Sequence, residues 1–227
     1  MSPLLRFLEN ELQIACLIFM GSVYILRTAW LLHFRMPRER TRAEGSETAG
    51  VIRSLSSVAR PGAMESTRQK PWFYAQFMIF HFAVTAAIAA TFIIPYRPAL
   101  FEVQPLAAAF QAVLAAGVVV GLLRLSRRVR VPAVRIISSP DDYFSLVLMI
   151  LYFAAGFLAV PNDYERAEWP LILFFGLTAF FLAYVPFSKI SHYLYYPFAR
   201  IVLGKALGHR GILPPGKKGL RIELEKS

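Results

Sequence analysis

The sequence predicts an all-α integral membrane protein, a five-helix bundle with its N-terminus outside and its C-terminus in the cytoplasm. Three observations predict it. The windows 71–96, 103–123, 143–162 and 169–188 contain no Asp, Glu, Lys or Arg, and each is near the ~20 residues that cross a hydrocarbon core ~30 Å thick. The composition is 56% hydrophobic with a mean hydropathy of +0.49, more than a soluble domain needs. The basic residues fall on alternate connections, the asymmetry that orients a chain in a membrane.

The first span, about 11–34, is interrupted only by Arg27 near its end, where a long side chain can snorkel. Arg6, Glu9 and Glu11 precede it and no small-residue cleavage site follows, so it reads as a retained helix and not a signal peptide. It holds the lone cysteine, Cys16, which by itself makes no disulfide, Fe–S cluster or structural zinc site and reads as packing. The cytoplasmic loop 35–70 is polar and rich in breakers, with Pro37, Gly45, Gly50, Pro61 and Gly62; around Val51–Val58 it predicts a short interfacial helix. The second span, about 71–96, starts at Pro71 and carries Trp72, Tyr74 and Tyr96 near its ends, as Trp169 marks the start of the fifth. The third, about 103–125, contains Gly117-Val-Val-Val-Gly121, small residues four apart that let helices approach. The fourth, about 143–162, is entered through Ser138-Ser-Pro-Asp-Asp142, with Ser139 or Asp141 as its cap and acids at the positive end of the dipole. The fifth, about 169–196, is longer than a crossing requires and stops before Pro197; a cytoplasmic tail, 200–227, follows. All of it reads as one membrane domain, 1–227.

The formal net charge is +11, and its placement argues against nucleic acid. The 35–70 loop holds Arg35, Arg38, Arg40, Arg42, Arg53, Arg60, Arg68 and Lys70; the connection after the third span holds Arg124, Arg127, Arg128, Arg130 and Arg135. The opposite face has Arg6, Arg97 and Arg166 against Glu9, Glu11, Glu102, Asp163, Glu165 and Glu168. Basic residues so arranged orient the bundle and meet anionic lipid or an acidic partner.

Two histidines carry the functional signal. His81 and His192 lie in otherwise apolar membrane segments, where an ionisable ring is costly and usually functional. His81 stands ten residues after Pro71, roughly 15 Å from the cytoplasmic start of its helix. On a fifth helix running the other way, His192 lies about 6–12 Å from the same side. Matched depth on antiparallel helices suits two neutral imidazoles holding one b-type haem. The alternative is that each ring simply bonds a carbonyl or hydroxyl between helices. His33 reads as interfacial and His209, in the basic tail, as solvated. Tyr184, Phe187, Tyr193, Tyr195 and Tyr196 surround His192 in the sequence and suit either a macrocycle wall or an interfacial girdle. Anionic haem propionates need donors, and Lys189, Arg124, Arg127 and Arg128 are on the correct side.

These residues resemble the gamma subunit of respiratory nitrate reductase and related membrane cytochromes b, over most of the chain. The likeness is carried by Pro186-Phe-Ser-Lys-Ile-Ser-His192 followed by Pro197, by Arg127-Arg-Val-Arg with Ser138-Ser-Pro-Asp-Asp142, and by His81. The resemblance implies that His81 and His192 are the axial ligands of the haem nearer the cytoplasm. It also implies that a second haem's ligands would fall at Thr91 and Phe174, neither of which ligates iron, so one haem is expected. Membrane subunits of sulfate-reducer transmembrane complexes are similar; they pass electrons between multihaem cytochromes c, quinone and a cytoplasmic Fe–S subunit.

The expectation is a multi-pass subunit of a bacterial or archaeal cytoplasmic membrane, carrying electrons between the quinone pool, or a periplasmic cytochrome c, and a cytoplasmic Fe–S partner. No residues form a stand-alone catalytic site. A haem-free anchor is the main alternative; it predicts that replacing His81 and His192 leaves electron flux intact. A small transporter fits less well, since no acidic residue sits at mid-membrane and no span is broken by a Gly/Pro pair.

Overall fold

The computed structural model describes residues 1–34, 39–57 and 68–213. All regular elements among them are helical. We label the long ones α1, Pro3–His33; α2, Glu47–Ser56; α3, Pro71–Tyr96; α4, Gln104–Arg130; α5, Pro140–Ala159; α6, Trp169–Tyr184; and α7, His192–His209. Five helices are long and apolar enough to cross a membrane: α1, α3, α4, α5, and α6 with its extension to Phe187. Ile18, Ile25, Phe82, Val119 and Leu151 are each more than half exposed on them. So much outward apolar surface suits lipid and not water.

The described residues form two compact units: Met1–Ile25 with Trp72–Ile190, and Leu26–Pro71 with the chain from Ser191 onward. In the first unit α4 packs on α5, α5 on α6, and the opening turns of α1 on α6. Ala83, Ala87, Leu114, Phe153 and Phe174 form its fully buried centre. The expected close approach at Gly117 and Gly121 is present. A Cβ on Gly117 would strike the Ala83 methyl of α3 and come within 3.0 Å of Phe153; one on Gly121 would lie 2.5 Å from Ile150. Ser139, and not Asp141, is the N-cap of α5, and Asp142 completes a capping box by accepting the Ser139 N–H at 2.8 Å.

The fifth span departs from its expected course. A helix over 169–196 is replaced by α6, which ends at Tyr184, then by two 3-10 turns, Val185–Phe187 and Lys189–Ser191, then by α7. Pro186 has no N–H for the helical ladder and crowds the preceding turn. Ser188, extended at ψ 170°, restarts the chain, with its Oγ accepting the Ile190 N–H at 3.1 Å. Pro197 lies inside α7 and does not end a helix.

The second unit replaces much of the expected 35–70 loop and 200–227 tail. The expected helix around Val51–Val58 is α2, a turn earlier, and it packs along α7. Val58, with Arg35, Pro37, Arg38, Arg60, Pro61 and Gly62, lies outside the described residues, as does 214–227. The pairing is almost backbone on backbone: a Cβ on Gly50 would meet Gly204 O and lie 2.5 Å from Gly208 Cα. Ser54 Oγ donates to Arg200 O at 2.8 Å, and Arg200 Nη2 donates back to Ser54 O at 2.8 Å.

Candidate functional site

His81 is half-buried on α3. The helix buries Gln76, Ala83, Ala87, Ala90, Thr91 and Ile94; at 100° per residue His81 points to another side, with the exposed Phe77 and Ile88. Its Nδ1 lies 2.8 Å from Phe77 O, and a carbonyl only accepts. Nδ1 therefore carries the proton in the neutral ring and Nε2 the lone pair, the tautomer of a histidine that binds metal through Nε2. The Phe77 ring, 4.0 Å away centre to centre, holds the imidazole from one side.

His192 is exposed and is the first residue of α7. His81 belongs to the first unit and His192 to the second. Among the described residues, no three His, Cys, Asp or Glu side chains form a metal-holding group. A bis-histidine haem uses only two protein ligands, so this bears on protein-only metal sites and not on haem.

The two motifs behind the resemblance meet in the first unit. Lys189 Nζ donates to Ser139 Oγ at 2.7 Å and to Asp142 Oδ2 at 3.0 Å. Tyr184 OH donates to Asp141 Oδ1 at 2.6 Å. Adjacent aspartates at the head of α5 thus hold the chain on both sides of Pro186, one at Tyr184 where α6 ends and one at Lys189 where the second 3-10 turn begins. Arg128 joins them, donating to Ser138 Oγ at 2.7 Å and standing 3.9 Å from Asp142. Arg124 lies 5.3 Å from the centre of the Phe80 ring and Arg127 4.3 Å from that of Phe73. All four expected propionate donors therefore have partners within the protein. The aromatics expected around His192 are also engaged: Tyr195 OH accepts from Arg27 at 2.8 Å, and Tyr196 lies under Arg200.

Thr91 and Phe174 face the same buried neighbour. Thr91 Oγ1 is 2.9 Å from Tyr152 OH, Phe174 stacks on the Tyr152 ring at 5.2 Å, and Thr178 Oγ1 is 3.2 Å from the same hydroxyl. This polar knot joins α3, α5 and α6. Tyr152 and Thr178 had no distinguishing spacing, and Thr91 stood out only as a position without an imidazole; the packed structure shows that the three converge.

His209 is not solvated as expected. Its Nε2 donates to Thr41 O at 2.8 Å and its Nδ1 lies 3.1 Å from Glu47 Oε1. Two acceptors, one on each ring nitrogen, favour the imidazolium, and the Thr41 carbonyl first and the Glu47 carboxylate second raise its pKa above the usual value. The available signal was Gly204-Lys-Ala-Leu-Gly208, two glycines four apart that mark a close helix contact.

No family model matches the chain and no solved structure matches it. A protein of Nitratidesulfovibrio vulgaris strain Hildenborough, described only as "Protein", is 26% identical over 198 residues, covering 83% of this chain and 86% of its own length. The likeness extends over most of both chains.

Proposed function

We propose that the chain is a haem b-containing membrane subunit that carries electrons between the quinone pool, or a periplasmic cytochrome c, and a cytoplasmic Fe–S partner. The observation that carries this reading is His81: an imidazole inside a 26-residue apolar helix, with Nδ1 committed to a main-chain carbonyl and its lone pair on Nε2. His192, which opens α7 immediately after the break, is the second ligand. Haem, when bound, would supply one-electron carriage; His81 and His192 would hold it, and the apolar residues of the spans would surround it. One haem is expected, because Thr91 and Phe174 offer iron no imidazole and both pack on Tyr152.

The charge pattern supports an N-terminus outside a bacterial or archaeal cytoplasmic membrane, with the basic connections meeting lipid headgroups and the partner inside. The resemblance to nitrate reductase gamma subunits supports the same assignment through the motifs around Asp142 and Lys189.

A second reading, a haem-free membrane anchor for a redox complex, is favoured by the engagement of Lys189, Arg124, Arg127 and Arg128 in internal contacts. A pyridine haemochrome assay separates the two. One haem b per purified chain, lost in both His81→Ala and His192→Ala, is the expected result. Absence of haem from protein produced with haem in excess assigns the chain to the anchor class, and two haems per chain overturn the single-haem reading.

A further inference from the structure

The opening turns of α1 bury two polar side chains where a helix entering lipid ordinarily carries apolar ones. Glu9 is 7% exposed and Gln13 1%. Four residues apart on a helix, they share a face with the buried Leu5. The backbone between them is π-helical, Phe7–Leu12, a local widening frequent at functional positions. The Gln13 amide has a determined orientation: Nε2 donates to Thr91 O on α3 at 3.3 Å, and exchanging the two atoms would set oxygen against oxygen. Its Oε1 is buried without a hydrogen-bond partner.

Glu9 forms no ion pair among the described residues. On α1 itself, Arg6 and Glu11 are exposed. Glu168, just before α6, accepts the Ser2 N–H at 2.6 Å and stands 3.3 Å from the Met1 amine. Neither α3 nor α6, which pack against this face, has an Asp, Glu, Lys or Arg. A carboxylate and an amide oxygen on one buried face are both acceptors, so what binds there brings either hydrogen or positive charge, and a proton is the smallest group that does both.

We propose that Glu9 and Gln13 form a proton-binding site, in which Glu9 carries an exchangeable proton and Gln13 Oε1 accepts its hydrogen bond, directly or through one water. The carboxylate takes the proton from hydronium at the Met1 end of this unit, leaving water, and returns it by the reverse step. Glu9, with the slight exposure that remains to it, is the entrance; Gln13 holds the protonated form in place. The site is independent of the haem assignment.

Dicyclohexylcarbodiimide tests this, because it adds to protonated carboxyls in apolar surroundings and spares ionised ones in water. The full-length protein in lipid nanodiscs is treated across a pH series, and peptide mass spectrometry reads modification at Glu9, Glu11 and Glu168. Glu9 is expected to be modified and Glu11 spared. Gln13→Leu is expected to lower the pH midpoint of Glu9 labelling by about one unit, a tenfold loss of proton affinity. An infrared carboxylic C=O band that moves in heavy water should vanish in Glu9→Gln. Labelling of Glu9 no greater than that of Glu11, or a band unchanged in Glu9→Gln, overturns the proposal. So does protection by sodium ions at constant ionic strength, which assigns the site to a metal cation. Labelling of the unmutated protein decides the matter even where a variant fails to fold.

Discussion

Asp142 shows how much one side chain can organise. A single carboxylate oxygen accepts from the Ser139 N–H, the Ser139 hydroxyl and Lys189 Nζ, at 2.8, 2.9 and 3.0 Å. Asp142→Ala removes the cap and the tether together and should cost about 1–2 kcal/mol, read as a lower thermal midpoint in detergent. Lys189→Met should cost less than about 1 kcal/mol, because the lysine is 60% exposed and the cap survives. Equal losses in the two variants would mean that the tether, and not the cap, is the stabilising part. His81 and Asp142 were legible in the sequence as an ionisable ring in an apolar run and as an acid at a helix start. The Lys189 partner was not, since nothing local links residues 47 apart along the chain.

The helices divide by what made them. α3 was legible from end to end, because an apolar run with proline first and aromatics at its ends needs no tertiary information. The break in the fifth span was not, because Pro186 lies in a charge-free run that continues past it, and lipid-embedded helices often tolerate proline. α7 runs unbroken through Pro197, which removes one hydrogen bond from its ladder, and packs along α2. That contact is testable. Gly204 has Val51 Cα 2.6 Å from where a Cβ would stand, so Gly204→Leu should separate the pair and expose α2 amides to hydrogen exchange. Gly21→Ala, with nothing within 4 Å, should be neutral or stabilising by up to about 1 kcal/mol.

The same helix pair should respond to pH. The Thr41 carbonyl and Glu47 raise the His209 pKa, so its contribution is complete below the ordinary histidine value of about 6.5. It is lost as pH rises through the raised value, when the imidazolium gives up one of its two donors. Exchange protection of α2, corrected for intrinsic rates, should fall over that window, and His209→Gln should abolish the dependence. A protection profile identical in the two proteins would remove His209 from the pairing.

At the scale of the molecule, five apolar helices make a multi-pass membrane protein, and the placement of arginine predicts how it is threaded. A reporter active only outside the membrane should work when fused in the connection near Tyr164 and fail when fused near Gln69; the opposite pattern would reverse the proposed orientation. The sequence by itself determined the number of spans, the ends of α3 and the identity of the unusual histidine. These follow from hydropathy and charge, which act on the chain locally and against a uniform lipid solvent. Tertiary structure alone decided that the fifth span breaks at Pro186, that a loop and a tail close on each other through Gly50, Gly204 and Gly208, and that Gln13 is left with an unmatched acceptor. Those outcomes depend on which surfaces meet, and close packing rewards contacts between residues far apart in the chain that no local pattern announces.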